Sequence, residues 1–382
     1  MRMDADEVRW PMVSRIDNVS LPLRPELVGL SPYGAPQLDV PVLLNTNENP
    51  YPPSAAVVDD IAEAVRTTAQ GLNRYPDRDF LALRTELADY LATESGVRVD
   101  PGGIWVANAS NEVMLHVLQA FGGPGRTVLS FAPTYSMYPE YARDTFTTWV
   151  AGRRTEDFTL DPDHATALVD QVRPSVVLLA SPNNPTGTAL PVATARAVLD
   201  AAAGVPGGCV VVVDEAYGEF RRPGTPSATE LLAEHRHLAV VRTMSKAFGL
   251  AGARVGYLAA ATELVDALRV VRLPYHLSAV TQAVARAALR HAPELMAQVG
   301  ELRAQRDRWV EDLRARGLTA CDSDANFVLF GVFDDAHALW QGLLDRGVLV
   351  REVGPAGWLR VSIGTPDEMA VFGTALDEVV DQ

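Results

Sequence analysis

Short runs of apolar and β-branched residues recur through the middle of the chain, each bounded by glycine, proline or acidic residues. Continuous runs of this kind are typical of strands buried on both faces. They predict strands at residues 104–107, 127–131, 176–180, 209–213 and 238–242. Between them, apolar residues recur with the period of a helix, as in residues 55–68 and 80–94. Alternating strands and helices predict an α/β fold with a mostly parallel sheet.

The pattern changes after Pro274. Residues 281–317 predict a nearly continuous helix that is interrupted near Pro293. Short strands are then predicted at 327–330, 348–351 and 358–363, around one more helix, as in a small α+β lobe. The first 45 residues are rich in proline and glycine and predict an extended arm. We therefore expect an arm at 1–45 that joins the small domain, a large domain at 46–275 and a small domain at 276–382.

Composition supports a globular protein and excludes several partners. The chain has 382 residues, 48% hydrophobic and 21% charged, which is enough for two lobes with real cores. The net charge is −15 and the basic residues form no runs, which argues against DNA or RNA as partners. Cys209 and Cys321 are the only cysteines, so we expect a reducing compartment. The opening residues lack a secretory signal and no stretch is long enough to span a membrane, which predicts a cytoplasmic protein.

Polar residues follow several of the predicted strands, where α/β sheets bind their ligands. Ala109, Ser110 and Asn111 lead into an amphipathic helix whose start suits a phosphate, although an ordinary helix cap explains this motif better when it is taken alone. The turn SPNNPTG, residues 181–187, follows the next such strand. Either it is a simple turn, or Asn184 donates to an oxyanion of a ring ligand, with Pro185 holding it in place.

The strongest apolar run, CVVVVDEAY, ends in Asp214. An acid at the end of a buried strand is costly without a cationic or donor partner. A protonated pyridine nitrogen would be such a partner, and this pairing first suggests the cofactor. The next strand leads into TMSKAFGLAGARVGY, where Lys246 lies in an otherwise uncharged turn. A partly desolvated amine is what Schiff-base chemistry requires, although a lone lysine is usually a surface residue. Arg254 offers a guanidinium for a phosphate or for a nearby acid.

Together, NNPTG, DEAY and SKAFGLAGARVGY in this order resemble the class I and II aminotransferases of the fold-type I pyridoxal phosphate enzymes. A closer similarity covers nearly the whole chain, through segments such as LLNTNENPYPPS, LNRYPDRD, FAPTYSMYP, SDANFVLFG and WLRVSIGT. It is a resemblance to the histidinol-phosphate aminotransferases of the actinobacterial type. The resemblance implies pyridoxal 5′-phosphate as the cofactor. It also implies a large domain in which a mostly parallel seven-stranded sheet lies between helices.

The resemblance also implies roles around the cofactor. Lys246 would form the Schiff base and move the proton between the substrate α-carbon and cofactor C4′. Asp214 would pair with the pyridine nitrogen, Asn184 and Tyr217 would hold the ring hydroxyl oxygen, and Tyr135 would stack on the ring. The residues implied to bind the cofactor phosphate are Ser110, Asn111, Ser245, Arg254 and Tyr75. In this family Tyr75 comes from the neighbouring subunit, which implies a homodimer.

On the substrate side, the resemblance implies that Arg360 clamps a carboxylate, a bidentate role that suits arginine. Asn326 and the turn Asn47-Glu48-Asn49 would line the substrate, and Arg351 would meet the phosphate of histidinol phosphate. Two departures stand out. The family usually has Gly-Ser where this chain has Ala109-Ser110. Related actinobacterial enzymes often have histidine where this chain has Tyr138, for which aromatic packing and a substrate contact are both open.

The leading interpretation is an aminotransferase that moves an amino group between histidinol phosphate and 2-oxoglutarate or glutamate. One alternative is a paralogue acting on an aromatic, imidazole-bearing or guanidino amino acid. A second alternative keeps the cofactor and changes the chemistry to a decarboxylase or lyase. A ligand sensor with the same fold is disfavoured, because we expect no attached DNA-binding module.

Overall fold

The computed structural model describes residues 22–380. The described residues fall into two compact units, 22–37 and 38–380. In the first unit, the described residues contain a short 3-10 helix, Pro25–Leu27, with Pro25 at its first position, where a missing N–H costs nothing. The opening residues, where no secretory signal is expected, and the start of the predicted arm lie outside the described residues.

The second unit holds the remaining regular elements. The strands are β1 Val42–Leu43, β2 Ile104–Asn108, β3 Thr127–Ala132, β4 Thr148–Arg153, β5 Val176–Ala180, β6 Val210–Asp214, β7 Leu238–Thr243, β8 Val255–Ala260, β9 Thr319–Ala320, β10 Phe327–Gly331, β11 Val348–Leu349, β12 Arg351–Glu352 and β13 Leu359–Ser362. The helices are α1 Ala55–Ala69, α2 Leu81–Ser95, α3 Ala109–Phe121, α4 Tyr138–Asp144, α5 Pro162–Val172, α6 Val192–Ala203, α7 Thr262–Val271, α8 Ala279–Arg290, α9 Ala292–Ala315, α10 Ala336–Asp345 and α11 Pro366–Val380.

A seven-stranded sheet has the order β2-β8-β7-β6-β5-β3-β4. Strand β8 runs antiparallel to both of its neighbours, and the other pairs are parallel. The predicted mostly parallel α/β sheet is therefore confirmed. Every residue of β5, β6 and β7 is buried, as expected for strands that are covered on both faces. Strands β4 and β8 are absent from the five predicted runs. β4 is an edge strand with mostly exposed residues.

A second sheet has the order β12-β13-β10-β9 and is antiparallel, while β1 pairs in parallel with β11. The predicted strand at 348–351 is divided into β11 and β12. The predicted long helix breaks at His291, because Pro293 occupies the first turn of α9, where proline is tolerated. The described residues 38–380 belong to one compact unit, and the division at 45/46 and 275/276 stays a prediction.

Alternate residues of the central strands face two separate cores. In β6, Val210 and Val212 belong to the larger core, and Val211 and Val213 belong to the smaller one. Because side chains alternate along a strand, Asp214 points to the same side as Val212, toward the larger core. The larger core also contains residues of β10 and β13, so it links the two sheets. Among residues 22–380, no helix is long and apolar enough to cross a membrane.

Candidate active site

The turns after β5, β6 and β7 lie side by side at one edge of the large sheet. Ser181 N donates to Asp214 O at 2.9 Å, and Glu215 N donates to Val241 O at 2.8 Å. Parallel strands end at the same edge, so the predicted residues Asn184, Asp214 and Lys246 follow neighbouring strands. The structure thus gathers three of the sequence motifs at one place.

Lys246 carries an amine with lowered basicity. Burial, and then the positive charge of Arg360, lower the pKa of this amine from 10.5 to about 8. The amine donates a hydrogen bond to the carbonyl oxygen of Thr46 at 2.9 Å. Near pH 8 about half of the amine is therefore neutral, which is the form that attacks a carbonyl carbon.

Asp214 is only 7% exposed, and its two hydrogen-bond donors are neutral. Tyr138 Oη donates to Oδ2 at 3.1 Å, and Ala216 N donates to Oδ1 at 3.1 Å. Burial raises the pKa of this carboxyl from 3.8 to about 6, against the lowering effect of both hydrogen bonds. A buried carboxylate with neutral donors is well suited to receive a cationic ring.

Tyr138 is fully buried between the acid and a second aromatic ring. Its ring meets Tyr135 edge to face, with centroids 5.8 Å apart. Burial, followed by the charge of Asp214, raises the pKa of the phenol well above its usual value, so the hydroxyl remains a hydrogen donor. The structure therefore places Tyr138 against Asp214, and its contact with a substrate stays a prediction.

The first turn of α3 is packed directly against β8. Ala109 N donates to Arg254 O at 3.1 Å, and a Cβ on Gly256 would lie 2.1 Å from Ser110 N, so only glycine permits this approach. Ala109 has a φ of 65°, a left-handed conformation that suits the glycine usual in the family better than alanine.

Groups suited to an anion surround this turn. Tyr135 Oη approaches Asn111 Oδ1 at 3.5 Å. Thr243, the register partner of Gly256, donates from Oγ1 to Ser245 Oγ at 3.0 Å. The exposed Arg254 side chain donates to Ala251 O at 3.0 Å. Ser110, Asn111, Ser245 and Arg254 are therefore carried by adjacent segments at a helix N-terminus, which favours a phosphate.

Arg360 connects the predicted substrate side with the predicted cofactor side. It lies on β13 and is 6% exposed. Its guanidinium donates to Asn184 Oδ1 at 2.5 Å and to Asn45 O at 2.8 Å. The guanidinium carbon lies 5.1 Å from the centroid of Phe327, and the ring of Tyr217 meets the same phenylalanine edge to face. Arg351 on β12 is the register partner of Arg360.

Residues 45–49 cross the site as a connecting segment. Asn47 Nδ2 donates to Tyr217 Oη at 3.0 Å, and Asn49 Nδ2 approaches Ala247 O at 3.5 Å. The predicted substrate residue Asn326 is fully buried and donates to the carbonyl oxygens of Asn47 and Glu48. Thr46 is missing from the predicted site. It acts through its backbone carbonyl, which every residue type supplies, so no sequence signal could have revealed it.

Tyr75 is 79% exposed and stacks on Tyr275, with ring centroids 4.4 Å apart. Within the described part of the chain, the ring of Tyr75 contacts Tyr275 and no aromatic residue near Lys246. Its reach into the site of a neighbouring subunit stays a prediction.

A buried ion cluster behind the site was also missing from the prediction. Arg242 of β7 is fully buried and bonds to Glu215, Glu219 and Glu94 at 2.7 to 3.2 Å. Although burial opposes ionisation of Glu215, the charges of Arg242 and Arg221 hold its pKa below the usual value. The cluster fixes the residue after Asp214 to the strand before Lys246. Glu215 directly follows Asp214, and Arg242 lies in the strand before Lys246, but the acids that pair with Arg242 are distant from it in the sequence. The sequence alone therefore does not reveal the cluster.

A lysine with a lowered pKa is suited to bond to a carbonyl ligand, and a buried acid is suited to pair with a ring cation. The site thus defines an α/β enzyme that uses a carbonyl-bearing cofactor.

Comparison with known proteins narrows this class. Residues 40–376 match the model of the family Aminotransferase class I and II. The chain is 60% identical over 356 residues to a histidinol-phosphate aminotransferase of Thermobifida fusca, covering 93% of this chain and 95% of the relative. It is 58% identical to histidinol-phosphate aminotransferase 3 of Burkholderia lata, covering 97% and 98%.

Among solved structures, the histidinol-phosphate aminotransferase from Sinorhizobium meliloti in complex with pyridoxal-5′-phosphate matches with a TM-score of 0.77 at 25% identity, over 90% of this chain and 91% of that chain. This chain belongs to the class I and II aminotransferase family. The predictions of an aminotransferase, of pyridoxal 5′-phosphate as its cofactor and of the fold are confirmed.

The donor set of the site fits this cofactor. Lys246 offers the amine, Asp214 offers a buried carboxylate whose hydrogen-bond donors are neutral, and the start of α3, which has no side-chain cap, offers backbone N–H groups to an anion. The decarboxylase, lyase and sensor alternatives lose their support, because the family is one of aminotransferases.

Proposed function

We propose that this aminotransferase moves an amino group between histidinol phosphate and 2-oxoglutarate or glutamate. The main structural support is that Arg351 and Arg360 lie directly opposite each other on the adjacent strands β12 and β13. Side chains of directly opposed residues share one face of a sheet, so both guanidinium groups lie on the same face of β12 and β13. A phosphate or carboxylate bound there would meet two arginine side chains. The curated relatives at 58–60% identity, which are named for histidinol phosphate, support the same donor.

Each predicted cofactor residue has a physical role in this reaction. When bound, pyridoxal 5′-phosphate supplies an electron sink for negative charge at the substrate α-carbon. Lys246 would link to the cofactor aldehyde and, once released, move a proton between the α-carbon and C4′. Asp214, ionised above a pKa of about 6, would keep the ring nitrogen protonated. Asn184 and Tyr217 would hold the ring oxygen, and Tyr135 would stack on the ring.

The cofactor phosphate would be held by the groups gathered at the start of α3. Backbone N–H groups of the first helical turn are not used within the helix and point toward an anion. The side chains proposed to join them are Ser110, Asn111, Ser245 and Arg254. On the substrate side, Asn49, Asn326 and Tyr138 are proposed to line the pocket, with Arg360 and Arg351 meeting the substrate anions.

A donor panel tests the substrate. With 2-oxoglutarate as the acceptor, we expect strong preference for histidinol phosphate over histidinol, which lacks the phosphate, and over aromatic and guanidino amino acids. Arg351→Gln should raise KM for histidinol phosphate about 10- to 100-fold, the effect of a lost charged hydrogen bond. Arg346→Gln, which removes an arginine bonded to Glu378, is the control. Rejection of histidinol phosphate with rapid turnover of another donor would support the paralogue instead.

The link to the cofactor can be tested cleanly, because Lys246 is the only lysine among the 382 residues. Borohydride reduction of the yellow enzyme should add one cofactor mass to the peptide that contains Lys246. Lys246→Ala should show no such peptide and lose turnover by at least a factor of about 100. Full turnover of this variant would overturn the assignment.

We also propose a homodimer in which Tyr75 reaches the cofactor phosphate of the neighbouring subunit. Support comes from the exposure of Tyr75, which stacks on Tyr275, and from the exposed Leu72 and Leu273, which lie close to these tyrosines in the sequence. Mixed dimers test this idea. Subunits with Lys246→Ala and subunits with Tyr75→Ala should be poorly active alone and regain activity on mixing, because one site is then intact. No recovery in verified mixed dimers would contradict the shared site.

The predicted lobes and location belong to the same proposal. The seven-stranded sheet lies within 104–260 and the four-stranded sheet within 319–362, which supports lobes at 46–275 and 276–382. The pairing of β1 with β11 supports an arm that joins the small lobe. Free Cys209 and Cys321 suit a reducing cytoplasm. Fractionation of the native host, with the enzyme found in the membrane or exported fraction, would contradict the location.

A further inference from the structure

Four hydrogen bonds hold Asn47 in place. Its N–H donates to Ser362 Oγ at 2.9 Å, and its carbonyl oxygen accepts from Asn326 Nδ2 at 3.1 Å. Its side-chain Oδ1 accepts from Ser362 Oγ at 2.9 Å, and its Nδ2 donates to Tyr217 Oη at 3.0 Å. The residue is 1% exposed and has a φ of 55°, a conformation that is costly outside glycine and best tolerated by asparagine.

The count of donors and acceptors decides the direction of this network. The Ser362 oxygen accepts from Asn47 N–H, and its one hydroxyl hydrogen is donated to Asn47 Oδ1. The other end of the amide is then Nδ2, which can only donate. If the amide were reversed, its NH2 group would face Ser362 as a second donor. The hydroxyl hydrogen of Ser362 would then lose Asn47 as its acceptor. Tyr217 Oη is thus the acceptor from Asn47, and its own hydrogen is directed at a different atom.

We propose that Asn47 is a positioning residue that directs the Tyr217 hydroxyl hydrogen at the ring oxygen of the cofactor. This inference rests on the proposed role of Tyr217. A phenol that accepts a hydrogen bond becomes a stronger donor, because hydrogen bonds in a chain polarise one another. Ser362 lies two residues from Arg360 on the same face of β13. The chain Ser362-Asn47-Tyr217 therefore joins the strand of the substrate-binding arginine to the residue at the ring oxygen.

The expected signature is a pH shift in the visible absorbance of the bound cofactor. Once linked to the cofactor, the Lys246 nitrogen would titrate, and negative charge on the ring oxygen would favour its protonated form. A hydrogen bond from Tyr217 to that oxygen would reduce this effect and lower the midpoint. Asn47→Gly keeps the left-handed backbone and removes the amide. It should raise the midpoint by about half a unit to one unit, the effect of one neutral hydrogen bond.

A double-mutant cycle separates this role from a general structural one. Tyr217→Phe removes the donor itself, so Asn47→Gly added to Tyr217→Phe should cause no further shift. A shift of the same size in both backgrounds would mean that Asn47 does not act through Tyr217, which overturns the inference. Arg173→Gly, at an exposed left-handed position after α5, is the control for glycine substitution and should keep the wild-type midpoint.

The cofactor assignment is checked first and independently. If the wild-type enzyme binds no cofactor at Lys246, the proposed function fails before Asn47 is tested. If it does bind, and Asn47→Gly keeps the wild-type midpoint, only the inference fails. Should Asn47→Gly not fold, as judged by circular dichroism, Ser362→Ala removes the partner that fixes the amide. It should shift the midpoint in the same direction, and an unchanged midpoint there would refute the inference.

Discussion

Removing one hydroxyl beside Asp214 should change how the enzyme binds its cofactor at different pH values. In Tyr138→Phe, Asp214 loses the hydrogen bond of 3.1 Å to Oδ2 and keeps the one from Ala216 N. Hydrogen bonds to a charged group contribute about 1.5–3 kcal/mol, and one pKa unit corresponds to about 1.4 kcal/mol. This bond favours the ionised acid, so its loss raises the pKa. From about 6 in the free enzyme, the pKa of Asp214 should rise by about 1–2 units.

We propose that the protonated ring nitrogen needs an ionised Asp214. Cofactor affinity should therefore fall most at pH values at which Asp214 is protonated in the variant and ionised in the wild type. The dissociation constant of pyridoxal 5′-phosphate, measured by absorbance between about pH 5.5 and pH 9, should differ most near pH 7. The two enzymes should converge at the alkaline end. Tyr141→Phe removes a hydroxyl one turn later in α4 and should follow the wild-type curve. A uniform loss of affinity at every pH would mean that Tyr138 only supports packing.

Three further outcomes are expected. The rate at which the free enzyme links to the cofactor, followed by stopped-flow absorbance, should rise with pH and level off above a midpoint of about 8. Arg360→Met should move this midpoint upward, because it removes a cation that lowers the pKa of Lys246. Ala109→Gly should stabilise the protein by about 1 kcal/mol in urea unfolding, because glycine adopts a φ of 65° without strain; equal or lower stability would refute the strain argument. Arg242→Met should destabilise the protein by about 3–5 kcal/mol, because buried carboxylates lose their cation; thermal unfolding within a degree of wild type would contradict this.

The central strands were readable from the sequence, because they are buried on both faces. The runs at 176–180 and 238–242 need no alternation to be recognised, and the observed strands differ from the predicted ones by at most one residue at an end. β8 was missed for a physical reason. Its residues 255–260 include glycine and alanine, whose small side chains admit the close approach of α3 and weaken the apolar signal that marks a strand. β4 was missed because an edge strand exposes most of its residues.

The candidate site could be proposed from the sequence where a side chain is unusual for its position, as with Asp214 at the end of a buried strand and Lys246 in an uncharged turn. Contacts that depend on tertiary structure were not readable. Tyr138 has no sequence relation to Asp214, 76 positions away. The Asn47-Ser362 pairing spans 315 positions and becomes clear only when β13 and residues 45–49 are placed side by side.

If Arg360 binds a substrate anion as proposed, it would couple substrate binding to the basicity of Lys246. Its positive charge lowers the pKa of that amine, and the two groups bond to the successive carbonyl oxygens of Asn45 and Thr46. A substrate anion that pairs with Arg360 would offset this charge, and an amine beside a neutralised guanidinium holds a proton more tightly. Lys246 would then be a stronger base while an anion is bound than in the free enzyme. The low pKa that favours linkage to the cofactor is therefore compatible with the higher basicity that proton transfer at the α-carbon requires.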